Sequence, residues 1–405
     1  MTLPNEPHPL PLSGIRVLDL GRRLAGPVCG THLGDFGAEV IKVEIPDGGD
    51  LRRRSRPAEH IDGLNPDFAV DNRNKKSVTL DLHGRQGQGL LKQLVGLADV
   101  VIENFRPGML ERWHLGFEEL SRVNAGIILA RISAYGQTGP YAVRVGEATT
   151  TAAFGGHVYV NGYPDGPPTR LGMAYGDHFG ALFALYGIMM ALRVRDHTGR
   201  GQEIDVSLAE ALTRVTGGLL SAYGAHGIVR GRRGNTDPAQ PAVGIFLAGD
   251  GLYVAVDAGD DRHFARWAER MGRPDIAGSP AYHHVKDRVE HVEEITEMVT
   301  GWIVSRPSKE VVEALQEMGI PCDVVNTVKE LFENAHLRER GAVVPVDTAA
   351  SGPIYMPGLL PHLSETPGRI NAFSLDLGEH NGEVYEGLLG LSGQQLQALK
   401  AEAVI

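Results

Sequence analysis

The stretch Ile15-Arg16-Val17-Leu18-Asp19-Leu20 alternates like a strand and runs through Gly21-Arg22-Arg23 into Leu24-Ala25-Gly26-Pro27. Small residues then continue a helix to about Phe36. A second strand follows at once in Ala38-Glu39-Val40-Ile41-Lys42-Val43-Glu44. Residues 77–82, 99–103 and 127–132 read as further strands, with a helix over 90–97 between two of them. Strands alternating with helices predict βαβ units, so the fold class is α/β with a mainly parallel, Rossmann-like sheet. Such sheets bind ligands beyond the carboxyl ends of their strands. The loops after Leu20, Glu44 and Glu103 are therefore the candidate ligand surface.

Working outward, a helical run covers residues 180–195, and the turn Gly199-Arg200-Gly201-Gln202 leads into a strand at 203–208 and a helix through 220. Residues 230–240 are polar, glycine-rich and without periodicity, as a linker would be. A strand at 251–256, helices near 263–271 and 289–305, and a final pair at 324–326 and 328–334 predict a smaller α+β domain. The tail from 341 is loop-rich, with a last helix at 394–402. The predicted organisation is a large domain over 1–225 completed by 335–405, a linker at 226–240 and a small domain at 241–334. No fixed-period repeat is visible.

The 405 residues are 42% hydrophobic and 22% charged, an ordinary globular composition with ample core. Residues 2–11 are polar and contain four prolines, unlike a secretory signal. The apolar run 181–192 is shorter than the roughly 20 residues of a bilayer span. Two cysteines, Cys29 and Cys322, are too few for a disulfide framework. These features predict a cytoplasmic enzyme. A net charge of −11 argues against nucleic acid. Residues 1–112 balance to zero, however, so the negative charge falls on the remainder and an anionic ligand is better received by the N-terminal quarter.

No G-x-G-x-x-G follows the first strand, no P-loop or G-x-S-x-G occurs, and the histidines show no zinc-ligand spacing, so no metal site is expected. Basic residues do gather where a ligand should sit. Arg22 and Arg23 follow the first strand, and Arg52, Arg53, Arg54 and Arg56 follow the second. Asn74-Lys75-Lys76 precedes the third, and Asn104-Phe105-Arg106-Pro107-Gly108 follows the fourth. Each cluster alone reads as a solvated rim; several at one sheet edge point to a phosphate-rich ligand. Phe105 can offer a flat apolar face or belong to the core. In Tyr175-Gly176-Asp177-His178-Phe179-Gly180, one carboxylate opens a small-residue helix, where free N–H groups and the helix dipole favour an anion. Asp177 there can be an N-cap, a nucleophile or both.

The ordered motifs resemble one family over nearly the whole chain. They are Leu18 to Pro27, Glu39-Val-Ile-Lys-Val-Glu44, Asn74-Lys-Lys-Ser77 and Asp99-Val-Val-Ile-Glu-Asn-Phe-Arg-Pro-Gly108. Ser133-Ala-Tyr-Gly-Gln-Thr-Gly-Pro140, the Gly176-Asp177 step and Gly199-Arg-Gly-Gln202 complete the set. Together they resemble the class III CoA-transferases, among them formyl-CoA transferase and the carnitine CoA-transferases. The resemblance implies that Asp177 attacks an acyl-CoA thioester, passes through a mixed anhydride and then carries CoA as an aspartyl thioester. CoA is then a substrate, and no cofactor stays bound.

Carried over by the same resemblance, Arg23, Leu24 and Ala25 lie along the CoA, with Leu24 where formyl-CoA transferase has glutamine. Lys75, Asn104, Phe105, Arg112 and Arg144 fall on positions implied to hold CoA, and Glu147 matches an active-site glutamate. Thr236-Asp237-Pro238-Ala239, before Gln240, replaces that enzyme's glycine tetrad. The family implies two ring-like chains interlocked as a homodimer, with a paralogous second subunit as the alternative. Overall likeness and the arginines suit transfer from succinyl-CoA to a dicarboxylate such as malate or citramalate. Two other readings stay open: a 2-methylacyl-CoA racemase, which would need the histidine base absent from Gly146-Glu147-Ala148, and a catalytically silent CoA-binding subunit.

Overall fold

The computed structural model describes residues 9–61, 63–347, 352–371 and 376–405. Residues 1–8 of the proline-rich start lie outside them. Two units emerge. The first runs to His157 and takes in Leu171–Gly217 and His336–Ile405; the second is Val158–Arg170 with Gly218–Ala335. Residues 226–240 thus belong to the second unit, together with a segment inserted at 158–170.

The first unit is built on β1 (Arg16–Asp19), β2 (Glu39–Glu44), β3 (Lys75–Thr79), β4 (Val100–Glu103), β5 (Ile128–Ser133) and β6 (Glu203–Ser207). They form one parallel sheet in the order β3-β2-β1-β4-β5-β6, with Val17 paired to Val40 on one side and Val100 on the other. The helices that matter here are α1 (Ala25–Asp35), α2 (Arg85–Val95), α3 (Ala148–Phe154), α4 (Tyr175–Thr198) and α5 (Leu208–Arg214). Strand alternation sends Val17, Val40, Val100 and Ile128 to the α1 and α4 face, and Leu18, Ile41, Val101 and Leu129 to the α2 face. Both faces are buried, as a parallel sheet covered by helices requires. At about 1.5–3 kcal/mol per buried aliphatic side chain, these residues outweigh any surface ion pair, worth about 0–1 kcal/mol.

Strand order reverses between β1 and β4, which opens a crevice at their carboxyl ends. The β1 loop returns tightly because Gly21 and Gly26 lie back to back; a Cβ on Gly21 would come within 2.7 Å of the Gly26 Cα. Helix α4 closes the same face with small residues. Gly176, Gly180, Ala184 and Ile188 repeat every four residues and are buried, and a Cβ on Gly180 would meet Leu208 Cδ2 at 2.4 Å. By length and composition α4 alone among the described residues would cross a bilayer, yet one face of it packs on β5, β6 and α1.

The outer edge of the sheet, β3, is covered by the end of the chain. Asn381 Oδ1 accepts the Thr79 N–H at 2.8 Å, and its Nδ2 donates to Thr79 Oγ1 at 2.7 Å. Tyr385 Oη donates to the Thr79 carbonyl at 2.8 Å, and the Asp81 N–H to the Val404 carbonyl. The second unit is α+β: three antiparallel strands β7 (Val243–Leu247), β8 (Tyr253–Asp257) and β9 (Cys322–Val324) pack with helices around Trp267 and Trp302.

Candidate active site

A cavity of about 290 Å³ lies at the β1/β4 switch point, entirely within the first unit. Arg23, Leu24 and Ala25 line it from the β1 loop, and Asn104, Phe105 and Arg106 from the β4 loop. Arg52 enters from the turn after β2, Arg144 and Glu147 from the loop before α3, and Asp177 from the first turn of α4. Four arginines against two carboxylates leave the cavity positive, suited to an anionic ligand.

Asp177 is not the helix cap. The N-cap position is Ala174, with no side-chain bond to the helix end, and Asp177 is the third helical residue. Its Oδ2 is buried without a hydrogen-bond partner. Burial pushes its carboxyl up to about 6; its own backbone N–H and the charges of Arg23 and Arg52 oppose that rise, while Glu147 adds to it. The result is an under-solvated carboxylate in the cavity wall that titrates close to neutral pH, a perturbed group of the kind that marks functional sites. The Nε of Arg52 is buried without a partner as well, while its Nη2 reaches Asp67 at 3.2 Å and Asp71 at 3.5 Å.

Glu147 pairs with Arg23 at 2.8 Å across the opening. Both side chains are about two-thirds exposed (66% and 60%), so the pair orients more than it stabilises. Asn104 braces the two loops of the switch point: its Oδ1 accepts the Arg22 N–H at 2.7 Å and its Nδ2 donates to the Arg22 carbonyl at 2.8 Å. Phe105 is fixed by Trp113 edge-to-face at 5.2 Å and carries the Arg22 guanidinium 5.0 Å from its ring centre. Arg144 lies over the Tyr141 ring at 4.3 Å.

Arg23, Leu24, Ala25, Asn104, Phe105, Arg144, Glu147 and Asp177 are thus brought together; Lys75 and Arg112 are not. Lys75 begins β3 rather than preceding it, and its ammonium is buried among Asp19 Oδ2 (2.8 Å), the Pro27 and Asp71 carbonyls and Asn72 Oδ1. Every N–H of that ammonium is already used inside the fold. Arg112 ends the short helix Met109–Arg112 on the surface, where Nη2 meets Met109 Sδ at 3.4 Å. Arg52 and Arg106, expected only as members of the basic clusters after their strands, also line the cavity, and Leu208 joins them with no signal in the sequence. The replacement for the glycine tetrad, Thr236 to Ala239, is a turn in the second unit tied by Asp237 to Arg233 and to the Ala239 N–H. Among the described residues, no three His, Cys, Asp or Glu side chains are grouped to hold a metal ion.

A parallel sheet of order 3-2-1-4-5-6 carries at its switch point an arginine-rimmed cavity with an aspartate in its wall, while the G-x-G-x-x-G of dinucleotide binders is missing after β1. CoA-transferase family III matches residues 12–381, and the chain belongs to that family as a class III CoA-transferase. Among its relatives is the succinyl-CoA–L-malate CoA-transferase beta subunit of Chloroflexus aurantiacus, 41% identical with 98% of each chain covered. The succinyl-CoA–D-citramalate CoA-transferase of the same organism is 39% identical over 98% of both chains. Of solved structures, a CAIB/BAIF family protein from Brucella suis matches with TM-score 0.84 and 31% identity, covering 94% of this chain and all of that one.

Proposed function

We propose that this enzyme moves CoA from succinyl-CoA to a small dicarboxylate such as malate or citramalate, through covalent intermediates on Asp177. The ionised carboxylate attacks the thioester carbonyl, the C–S bond breaks, and CoA leaves as a thiolate while an aspartyl–acyl anhydride remains. The thiolate returns to the aspartyl carbonyl, releasing the donor acid and leaving an aspartyl-CoA thioester. The acceptor carboxylate repeats both steps in reverse and departs as its CoA thioester. Acyl activation is conserved because anhydride and thioester are both high-energy, provided water is kept out.

One observation carries this reading: Asp177 lines a cavity rimmed by four arginines, and its buried Oδ2 has no hydrogen-bond partner. A structural carboxylate would be satisfied. Arg23, Leu24, Ala25, Phe105 and Arg144 are assigned to the CoA and Glu147 to the reacting groups, with Asn104 holding the loops that carry them. CoA enters and leaves as substrate, and no cofactor is retained. The relatives named for malate and citramalate support the donor and acceptor classes. Assembly as an interlocked dimer of identical chains, or with a paralogous subunit, fits the exposed Leu182, Tyr186, Met189, Met190 and Val194 on α4, and the enzyme is assigned to the cytoplasm.

The test is to mix enzyme with succinyl-CoA, quench, and follow the peptide containing Asp177 by mass spectrometry while assaying transfer to malate, citramalate and other acids. The expected result is a CoA adduct on that peptide and exchange that Asp177→Ala abolishes. Retained exchange in that variant refutes the mechanism. Binding of CoA with neither adduct nor transfer identifies a silent subunit. Deuterium uptake at the α-carbon of a 2-methylacyl-CoA, without acceptor acid, identifies a racemase.

A further inference from the structure

Asp50 is a carboxylate that does not line the cavity but is bonded to residues that do. Asp50 is 3% exposed and collects donors from both basic loops of the site. Its oxygens accept the Arg23 N–H at 2.9 and 3.1 Å and the Arg52 N–H at 3.0 Å. The buried Lys42 ammonium approaches Oδ2 at 3.2 Å and also donates to the Gly21 carbonyl. The Asp50 N–H in turn donates to Glu44 Oε2 at 2.9 Å. Arg23 needs such a hold, because its φ of 66° is left-handed backbone, unfavourable for a residue with a Cβ.

We infer that Asp50, backed by Lys42, is a positioning residue that holds Arg23 and Arg52 against the Asp177 cavity. The inference rests on Asp177 being the nucleophile. Two aspects of the geometry support it. The backbone donors that converge on Asp50 belong to the two arginines whose charges oppose protonation of Asp177. A neutral amide could not replace the carboxylate, since its NH2 would face the Lys42 ammonium or one of the N–H donors. Around Asp177 the charged or titratable groups are Arg23, Arg52 and Glu147, with Arg106 and Arg144 lining the same cavity, His178 next to it on α4 and His32 of α1 beside that. Only Arg23 and Arg52 are tied to Asp50.

The experiment compares wild type, Asp50→Asn, Asp50→Glu, Arg23→Ala and the double variant D50N/R23A. Adduct formation on Asp177, kcat and KM are measured between pH 5 and 8.5. Asp50→Glu keeps the charge beside Lys42, so it serves if Asp50→Asn does not fold. We expect either Asp50 variant to lose about ten- to a hundredfold in kcat/KM, with the acid limb of the profile displaced upward because the arginines no longer favour the Asp177 anion. The double variant should lose less than the product of the two single losses, the extra loss over Arg23→Ala alone coming from Arg52. A role in stability alone would lower Tm while leaving the acid limb and the activity per folded molecule in place. That result, or additive losses, overturns the inference. An adduct formed at the wild-type rate in folded Asp50 variants overturns it too, while the nucleophile reading survives. No adduct in the wild type overturns both.

Discussion

Asp177→Asn should give a protein that is inactive and more stable. Burial lifts the Asp177 carboxyl to about 6 from the 3.8 of an ordinary aspartate. Holding it ionised in the folded chain therefore costs about 3 kcal/mol, at about 1.4 kcal/mol per pH unit. The sign follows from proton uptake: between roughly pH 4 and 6 the folded state binds the proton more tightly than the unfolded state. The contribution is fully present below the unfolded value and is lost as pH rises through about 6. Asparagine, a neutral isostere of the protonated acid, escapes that loss. Thermal melts of wild type and Asp177→Asn at half-unit steps from pH 4 to 8 should coincide near pH 4. They should then diverge to about 3 kcal/mol, on the order of 5 °C, by pH 7.5. A gap that does not change with pH, or a variant less stable than wild type at pH 8, refutes the account of Asp177 as a desolvated, unsatisfied anion.

Gly180→Val places methyl groups where Leu208 Cδ2 already stands 2.4 Å from the Cβ position. It should cost about 1–3 kcal/mol and lower kcat/KM, because Leu208 lines the cavity; Tm and steady-state kinetics check both. Lys75→Met strands the wholly buried Asp19 and should destabilise by about 3–5 kcal/mol. The KM for succinyl-CoA in the folded fraction should stay at the wild-type value, and a selective rise would return Lys75 to the ligand.

Much of the large domain was legible because strand alternation and loop chemistry are local. Leu18 and Val17 announce two buried faces, and Arg23, Arg52 and Arg106 follow three strands that end at one edge. Lys75 was misplaced for the opposite reason. A lysine beside Asn74 reads as loop, and only the long-range pairing of Val40 with Lys75 puts it inside the strand and under α1. Asp177 was legible as a residue at a helix start, but its freedom from capping depends on the helix beginning at Tyr175, ahead of the expected position. The inclusion of Val158–Arg170 in the second unit has no periodic signature at all. Asp50 reads as an ordinary turn residue until the backbone donors of two separate loops are seen to meet on it.

The cover over β3 also fixes an order of events during synthesis. Thr79 waits for Asn381 and Tyr385, more than 300 residues further along, which at ~5–20 residues per second is roughly 15–60 s of translation. Throughout that interval the nascent sheet has one bare flank, while most of the second unit has already emerged. A ribosome stalled before codon 380 should therefore display a chain that chaperones hold and that sticks to its neighbours, and its release should require only the last few dozen residues.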